Sequence, residues 1–563
     1  MRARAQHAAM VRRATSASVP SWQPVGPPQV STSPFGLVTG RITSIAADPS
    51  DPTGNTVYFG STGGGVWKST NAASNPSSIT FTPLTDTLSA FSSATLTSLS
   101  VGAISVQPGG TGVVLAGTGD PNDATDSWYG AGLLRSTDGG NTWSLISHAI
   151  AGASGFVPNF TGNAFAGFAW SASNPNLVVA AISRSEYSAT LGLVNQLGLL
   201  GLYYSLDAGA SWQLATIQDG STVIQSSTAT VTTGNAATSV VWNPVRRRFY
   251  AAIRNHGFYE SSDGITFSRL AAQPGTNLTL ALCPSNPGNP GSSSCPIFRG
   301  VLAVQPVTGD MFALSVDRNN LDQGLWQDVC NPSSTGCASA TVQFGTRVSD
   351  LPLDSVSGDG TIPQGTYNLA LAAIPSQQDT LLFAGTTDIW RCSLANSCSW
   401  RNTTNAQTCA SGKVFAAQHA IDSTFGPSGL IYFGNDGGLW RTQDAVNQTT
   451  TPCSADDATH FQNLNGGIGS LAEVEDFSER SRRRIHFACR ARRAGNGRFG
   501  TLGQRMESGA EWRRQFRRNR PRRSAELVCD LGVRRRHQRL QSGCLVQYRG
   551  IRLRWNRRSS GRQ

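Results

Sequence analysis

Residues 119–130 read Gly-Asp-Pro-Asn-Asp-Ala-Thr-Asp-Ser-Trp-Tyr-Gly, so three carboxylates at 120, 123 and 126 run into two aromatic rings. Further carboxylates in similar settings stand at Asp388 and Asp436. Two carboxylates flanking a cleft can cut a glycosidic bond, and their separation sets the stereochemistry. Asp120, Asp126, Asp388 and Asp436 are therefore the candidate catalytic residues. Trp128, Tyr129, Arg184, Tyr187, Arg254, His256 and His419 are the candidate ligand-binding residues, since rings and guanidiniums suit a sugar or a peptide. The run Asp120-x-x-Asp123-x-x-Asp126 lacks the spacing of a calcium-binding loop, and a solvated polar loop is the plainer reading. Without a Cys-x-x-Cys pair or a histidine cluster, no metal and no cofactor is expected.

These residues sit in loops, and the loops are set by a repeat. A strand centred on residue 67 returns at 134, 203, 259, 326, 390 and 440, as in Val66-Trp67-Lys68-Ser69 and Leu439-Trp440-Arg441-Thr442. A short apolar strand precedes each centre, such as Val113-Val114-Leu115-Ala116-Gly117 or Leu430-Ile431-Tyr432-Phe433-Gly434. Further upstream lie strands that run into a proline turn, such as Ile104–Pro108 and Val240–Pro244. A fourth strand follows the third, as in Thr80–Leu84. Each unit is thus about four strands with no helical period, and one such sheet cannot bury both faces alone. Radial stacking solves this. The expected fold is all-β, a β-propeller of about seven four-stranded blades followed by a disordered Arg-rich tail.

Between third and fourth strands lies a sharper motif. Ser136-x-Asp138-x-Gly140-x-Thr142-Trp143 and Ser205-x-Asp207-x-Gly209-x-Ser211-Trp212 match S-x-D-x-G-x-[ST]-W, and Ser261-Ser262-Asp263-Gly264 opens a shorter copy. The Asp suits turn N–H groups, the Gly a permissive dihedral, and the Trp a gap between sheets. A structural role is therefore assigned to Ser136, Asp138, Gly140, Trp143, Ser205, Asp207, Gly209, Trp212, Asp263 and Gly264.

This motif resembles the Asp-box, or BNR, repeat of sialidases, sortilin-type propellers and family 74 xyloglucanases. The xyloglucanases carry a catalytic base in Thr-Asp-x-Gly-Gly, and here Thr62 stands at the Asp position before Gly64-Gly65. Sialidases need an arginine triad opened by Phe/Tyr-Arg-Ile-Pro, which Phe298-Arg299-Gly300 does not match. The resemblance thus favours a non-catalytic extracytoplasmic propeller binding a glycan or a protein. The alternative is a glycoside hydrolase, xyloglucanase- or sialidase-like. Antiparallel geometry puts the Asp-box turns on one face of the disc and the second-to-third-strand loops, with most candidate site residues, on the other.

Eight of the 11 cysteines precede the tail. Cys283/Cys295, Cys330/Cys337 and Cys392/Cys398 are close in sequence, leaving Cys409 and Cys453, and this even set suggests disulfides and an oxidising compartment. A secreted or periplasmic protein is expected, although the N-terminus has no signal-like apolar run, and no stretch is long and apolar enough to span a membrane. The expected organisation is a disordered segment 1–21, the propeller over 22–478, and an Arg-rich tail over 479–563.

The net charge of +12 comes from that tail, where 26 Arg face four acids after residue 479, so the rest of the chain carries an excess of acids. Clustered Arg can neutralise nucleic-acid phosphates. A different reading fits better: codons permitted by Glu479–Arg492, shifted by one nucleotide, spell Ser-Asp-Pro-Ala-Asp-Ala-Ser-Ile-Leu-Leu-Ala-Gly-Leu-Gly, which is the turn and strand of the repeat. The tail is therefore read as out-of-frame translation of further blades, and nucleic acid is not the expected partner.

Overall fold

The computed structural model describes residues 29–468, apart from 34, 87–88, 92–97, 154, 187–199, 227–235, 276–277, 279–281, 284–293, 331–336, 338–341, 355–359, 377–378, 405–413, 425–428 and 444–459. It also describes 487–492, 499–501, 526–531, 546–548 and 551–553. Residues 29–476 form one compact unit. In the other unit, the described tail residues make a three-stranded sheet (Phe487–Arg492, Phe499–Thr501, Glu526–Leu531) and a hairpin (Val546–Tyr548, Ile551–Leu553).

The large unit is a seven-bladed β-propeller. Each blade is an antiparallel sheet of four consecutive strands. The first strands are Ile42–Ala47, Val101–Val106, Asn163–Trp170, Ala237–Asn243, Arg299–Val304, Ala370–Ser376 and Gln418–Ser423. Each touches the first strand of the next blade, and the seventh touches the first, which closes a ring around a central axis. Blade four is wider than the repeat implies. A hairpin, Thr216–Asp219 with Thr222–Gln225, adds to its outer edge and makes six strands.

Apolar side chains fill the gaps between blades rather than any single centre. Leu115 and Leu133 of blade two pack with Tyr203, Trp212 and Leu214 of blade three. Ile42, Phe59 and Trp67 of blade one pack with Leu430, Tyr432 and Leu439 of blade seven. The ring therefore closes by the same apolar contact that joins the other blades. Polar bonds add a clasp at this seam. Gln29 Nε2 donates to the carbonyls of Asn465 and Ile468, and Asn463 Nδ2 donates to that of Leu37.

The Ser-x-Asp turns are built as the sequence implies. Asp138 accepts from Ser136 Oγ, Thr142 N and Thr142 Oγ1, while Gly140 N donates to Ser136 Oγ. Asp207 and Asp263 repeat this with Ser205 and Ser261. These bonds hold Asp138 at about pKa 2, chiefly through Thr142. Gly209 has φ +80°, and a Cβ there would lie 2.7 Å from Leu115 of the preceding blade. Trp212 is buried and donates to Gly209 O at 3.0 Å. Trp143 is only partly buried against its cluster.

Disulfides Cys330–Cys337 and Cys392–Cys398 lie in the same third-to-fourth-strand turns of blades five and six, where the Ser-x-Asp motif is missing. Cys283–Cys295 closes the loop leaving blade four. The three expected short-range pairs are therefore formed, and Cys409 and Cys453 lie outside the described residues. No described helix is long and apolar enough to cross a membrane, which leaves spanning by strands unaddressed.

Candidate functional site

Two local rules aim side chains at the axis on the face opposite the Ser-x-Asp turns. The first is the loop from second to third strand, which carries Thr62, Asp120–Trp128, Arg254 and Asp436. The second is a bulge at the start of the first strand. The pairing of first and second strands skips Thr43, Gly102, Ala166, Thr238 and His419 in blades one, two, three, four and seven. A bulge re-aims the extra residue, and all five line one small cavity on the axis.

Above that cavity, one guanidinium gathers most of the candidate carboxylates. Arg41, immediately before the first strand, places Nη1 3.1 Å from Asp120, Nη2 3.0 Å from Asp126 and Nε 2.9 Å from Asp436. Tyr367 stacks against it, with the guanidinium 5.1 Å from the ring centroid. Asp436 also accepts from Tyr367 Oη at 2.7 Å and lies 2.9 Å from His419 Nε2. Thr62 Oγ1 donates to Asp120 at 3.1 Å.

The electrostatics follow from burial and these partners. Burial opposes the charge on Arg41, but Asp120, Tyr367, Asp436 and Asp126 outweigh it and raise its pKa above the ordinary value. Burial also opposes ionisation of Asp436, yet His419, Arg41 and Tyr367 hold its pKa at about 2. Burial lowers the pKa of His419 and wins over Asp436. Since Asp436 is ionised, the neutral imidazole must carry its proton on Nε2 to donate to it.

The blade-two loop lies across the axis. Asp123 pairs with Arg254 of blade four at 2.6 Å, and Asn122 Oδ1 accepts from Arg299 of blade five at 3.0 Å. Ser127 O accepts from Ser185 of blade three. Asp120 folds back to take Asn122 N at 2.9 Å. The loop is thus fastened to blades one, three, four and five.

The candidate residues separate into two groups. Asp120, Asp126, Asp436 and His419 come together around Arg41, and Arg254 stands nearby, bound to Asp123 and to Phe298 O. Asp388 is buried in its own blade, accepting from Asn402 and Thr404, and His256 is buried as well. Trp128 and Tyr129 are half-buried, edge to face at 6.0 Å, and Arg184 pairs with Glu186 at 2.9 Å. Tyr187 lies outside the described residues. The motif reading missed Arg41, Tyr367 and Arg299, which belong to no pattern. Their one sequence signal is a charged or phenolic group at or just before an apolar first strand, which means little until the ring is closed. Among the described residues no group of three or more His, Cys, Asp or Glu is arranged to hold a metal ion.

No protein-family model matches the sequence, and neither does any curated protein. Solved structures resemble it at low identity. An ancestral GH74 enzyme is 17% identical with a TM-score of 0.47, covering 79% of this chain and 48% of that one. A GH74 xyloglucanase from Xanthomonas campestris is 16% identical with a TM-score of 0.46, covering 77% and 54%. YCF48 from Cyanidioschyzon merolae is 14% identical with a TM-score of 0.39, covering 73% and 97%. The chain spans about half the length of the two GH74 proteins. Likeness at this level says nothing about chemistry, and the propeller assignment stands on the strand pairing itself.

Proposed function

We propose that this chain is a non-catalytic extracytoplasmic Asp-box propeller, binding a glycan or a protein on the face that carries the second-to-third-strand loops. One observation carries the reading: three of the four candidate carboxylates are ion-paired with the single guanidinium of Arg41. A general acid near neutral pH needs a raised pKa, and Asp436 is instead held at about 2. The half-buried Trp128, Tyr129 and Arg184 form the contact surface. Three disulfides support an oxidising compartment. The acid-rich body argues against nucleic acid as partner.

A glycoside hydrolase is the second reading. It is favoured by the meeting of Asp126 and Asp436 at a partly exposed position, with side-chain exposures of 63% and 28%. Incubating the purified protein with β-glucan, xyloglucan and sialoside panels separates the two. The proposal expects no turnover, with binding on a glycan array or to a protein ligand weakened by Trp128→Ala and Arg184→Ala. Turnover abolished by Asp436→Asn in a folded protein would reverse the preference. The Arg-rich segment from residue 479 is read as out-of-frame repeat sequence, and the nucleotide sequence of the gene tests that directly.

A further inference from the structure

The cavity on the propeller axis is small and highly polar. It holds about 50 Å³, room for one or two water-sized occupants. Its walls are the bulged residues Thr43, Gly102, Ala166, Thr238 and His419 with Arg299 from the first strand of blade five. Pro121 and Asn122 of the blade-two loop, Arg254 and Ser183 line it as well.

The charged side chains that line it are both cationic. Arg254 is matched by Asp123. Arg299 has no carboxylate within ion-pair distance among the described residues, and its guanidinium bonds only to neutral acceptors, Asn122 Oδ1 and the carbonyls of Thr366, Tyr367 and Leu369. Two buried lining groups also lack a partner. Ser183 is 1% exposed and its Oγ is unbonded. The His419 side chain is 1% exposed and its Nδ1 is unbonded. A buried polar atom without a partner is costly, so an occupant that satisfies both is favoured. Thr238, by contrast, is already bonded to Gly300 O.

We infer that this axial cavity binds a small monovalent inorganic anion, of halide size, between Arg299, Ser183 Oγ and His419 Nδ1, and that binding takes up one proton on His419. The charge on Arg299 supplies the attraction, and Ser183 can turn its hydroxyl to donate. His419 as a neutral imidazole offers only a lone pair at Nδ1, which repels an anion. Protonation at Nδ1 turns it into a donor while Nε2–H keeps its bond to Asp436, so the proton comes from solvent and no other bond changes. The groups facing this ring are Asp436 at 2.9 Å, the Tyr367 ring at 4.8 Å, and Arg41 and Asp120, which act through charge. Arg254 and Arg299 stand on the cavity walls with it. Asp436 favours the imidazolium, the arginines and burial oppose it, and a bound anion tips the balance. Because burial lowers the pKa of His419 in the anion-free protein, linkage makes halide affinity fall by up to about tenfold per pH unit from below the ordinary histidine range upward.

Crystals of the whole chain soaked in sodium bromide at pH 5.5 test the site through bromine anomalous scattering. In solution, thermal unfolding is followed against sodium bromide, with sodium gluconate holding sodium and ionic strength constant. The expected result is one bromide on the axis and a bromide-dependent rise in Tm at pH 5.5 that shrinks at pH 8. Ser183→Ala weakens that rise, Arg299→Gln abolishes it, and His419→Gln leaves a response with no pH dependence. Should Arg299→Gln fail to fold, the milder Ser183→Ala still decides the solution experiment. A water-only cavity at saturating bromide, or equal bromide and gluconate curves for the unaltered protein at pH 5.5, overturns the inference. The ligand reading of the loop face is unaffected either way.

Discussion

Arg41 Nε lies 2.9 Å from Asp436 Oδ1, so blade one is tied to blade seven at the axis, where the ring closes. Among the described residues no strand from one end of the propeller completes the sheet at the other. Blade seven is built from its own four consecutive strands, and the seam relies on apolar packing, the Gln29 and Asn463 clasp, and this ion pair.

Removing one partner of a buried ion pair strands the other charge, at a cost of about 3–5 kcal/mol. Arg41→Met is expected to lose that much in urea unfolding, because Asp120 is wholly buried beside it. Asp126→Asn should cost under about 1 kcal/mol, since that carboxylate is 63% exposed and screened by water. Equal losses in the two variants would refute the assignment of Asp120 as the buried anchor.

Acid should weaken the same seam. The folded pKa of Asp436 is depressed to about 2, below the ordinary value of 3.8. A depressed carboxylate contributes stability that is present above about pH 4 and lost as pH falls toward 2. Stability measured by denaturant titration across that window should fall less steeply in Asp436→Asn than in the unaltered protein. Parallel curves would exclude a role for this group in acid unfolding.

Asp422 has the opposite sign. Burial raises its pKa to about 6, against the bonds from Ala47 N and Ser423 N. A raised carboxyl contributes stability that is full below about pH 4 and lost as pH rises through 6. Asp422→Asn should therefore leave Tm unchanged near pH 4 and raise it at pH 8. A lower Tm at pH 8 would show that the carboxylate is needed in its charged form.

The turn staples should be separable from ligand binding. Ser205 Oγ donates to Asp207 and accepts from Gly209 N while buried, so Ser205→Ala is expected to cost about 1–2 kcal/mol. Opening the short Cys392–Cys398 loop with a double Ser substitution should cost about 2 kcal/mol by loop entropy. Both variants are expected to bind the eventual ligand as the unaltered protein does, and a change in affinity beyond their stability loss would place these turns in the binding site.

Much of the scaffold was legible because its signals are local. Second strands such as Val114–Thr118 are short apolar runs beside glycine, third strands such as Leu133–Ser136 open on apolar residues just after a glycine, and the Ser-x-Asp turns bond within a few residues of themselves. Several first strands were not legible. Asn163–Trp170 and Gln418–Ser423 lack the proline-turn ending, and only their second-strand partners reveal them. The added hairpin of blade four was hidden for a related reason, since Thr216–Asp219 pairs in parallel with a strand 50 residues away.

The candidate carboxylates were legible as residue types in loops, but their chemistry was not. Asp120, Asp126, Asp388 and Asp436 look alike in sequence. Three of them share Arg41 and one turns into its own blade, a division that depends on partners from other parts of the chain.

Sequence by itself determined the repeat, the four-stranded unit, the turn staples and the three short cysteine pairs, because each rests on residues within one blade. Tertiary structure alone decided the closure of the seven blades into a ring, the grouping of carboxylates on Arg41, and the axial cavity. A bulge that shifts a side chain by one position is invisible to a period-two pattern, yet it puts Thr43, Thr238 and His419 on the axis together. Charges fixed by neighbours hundreds of residues away acquire their meaning only when the ring is closed.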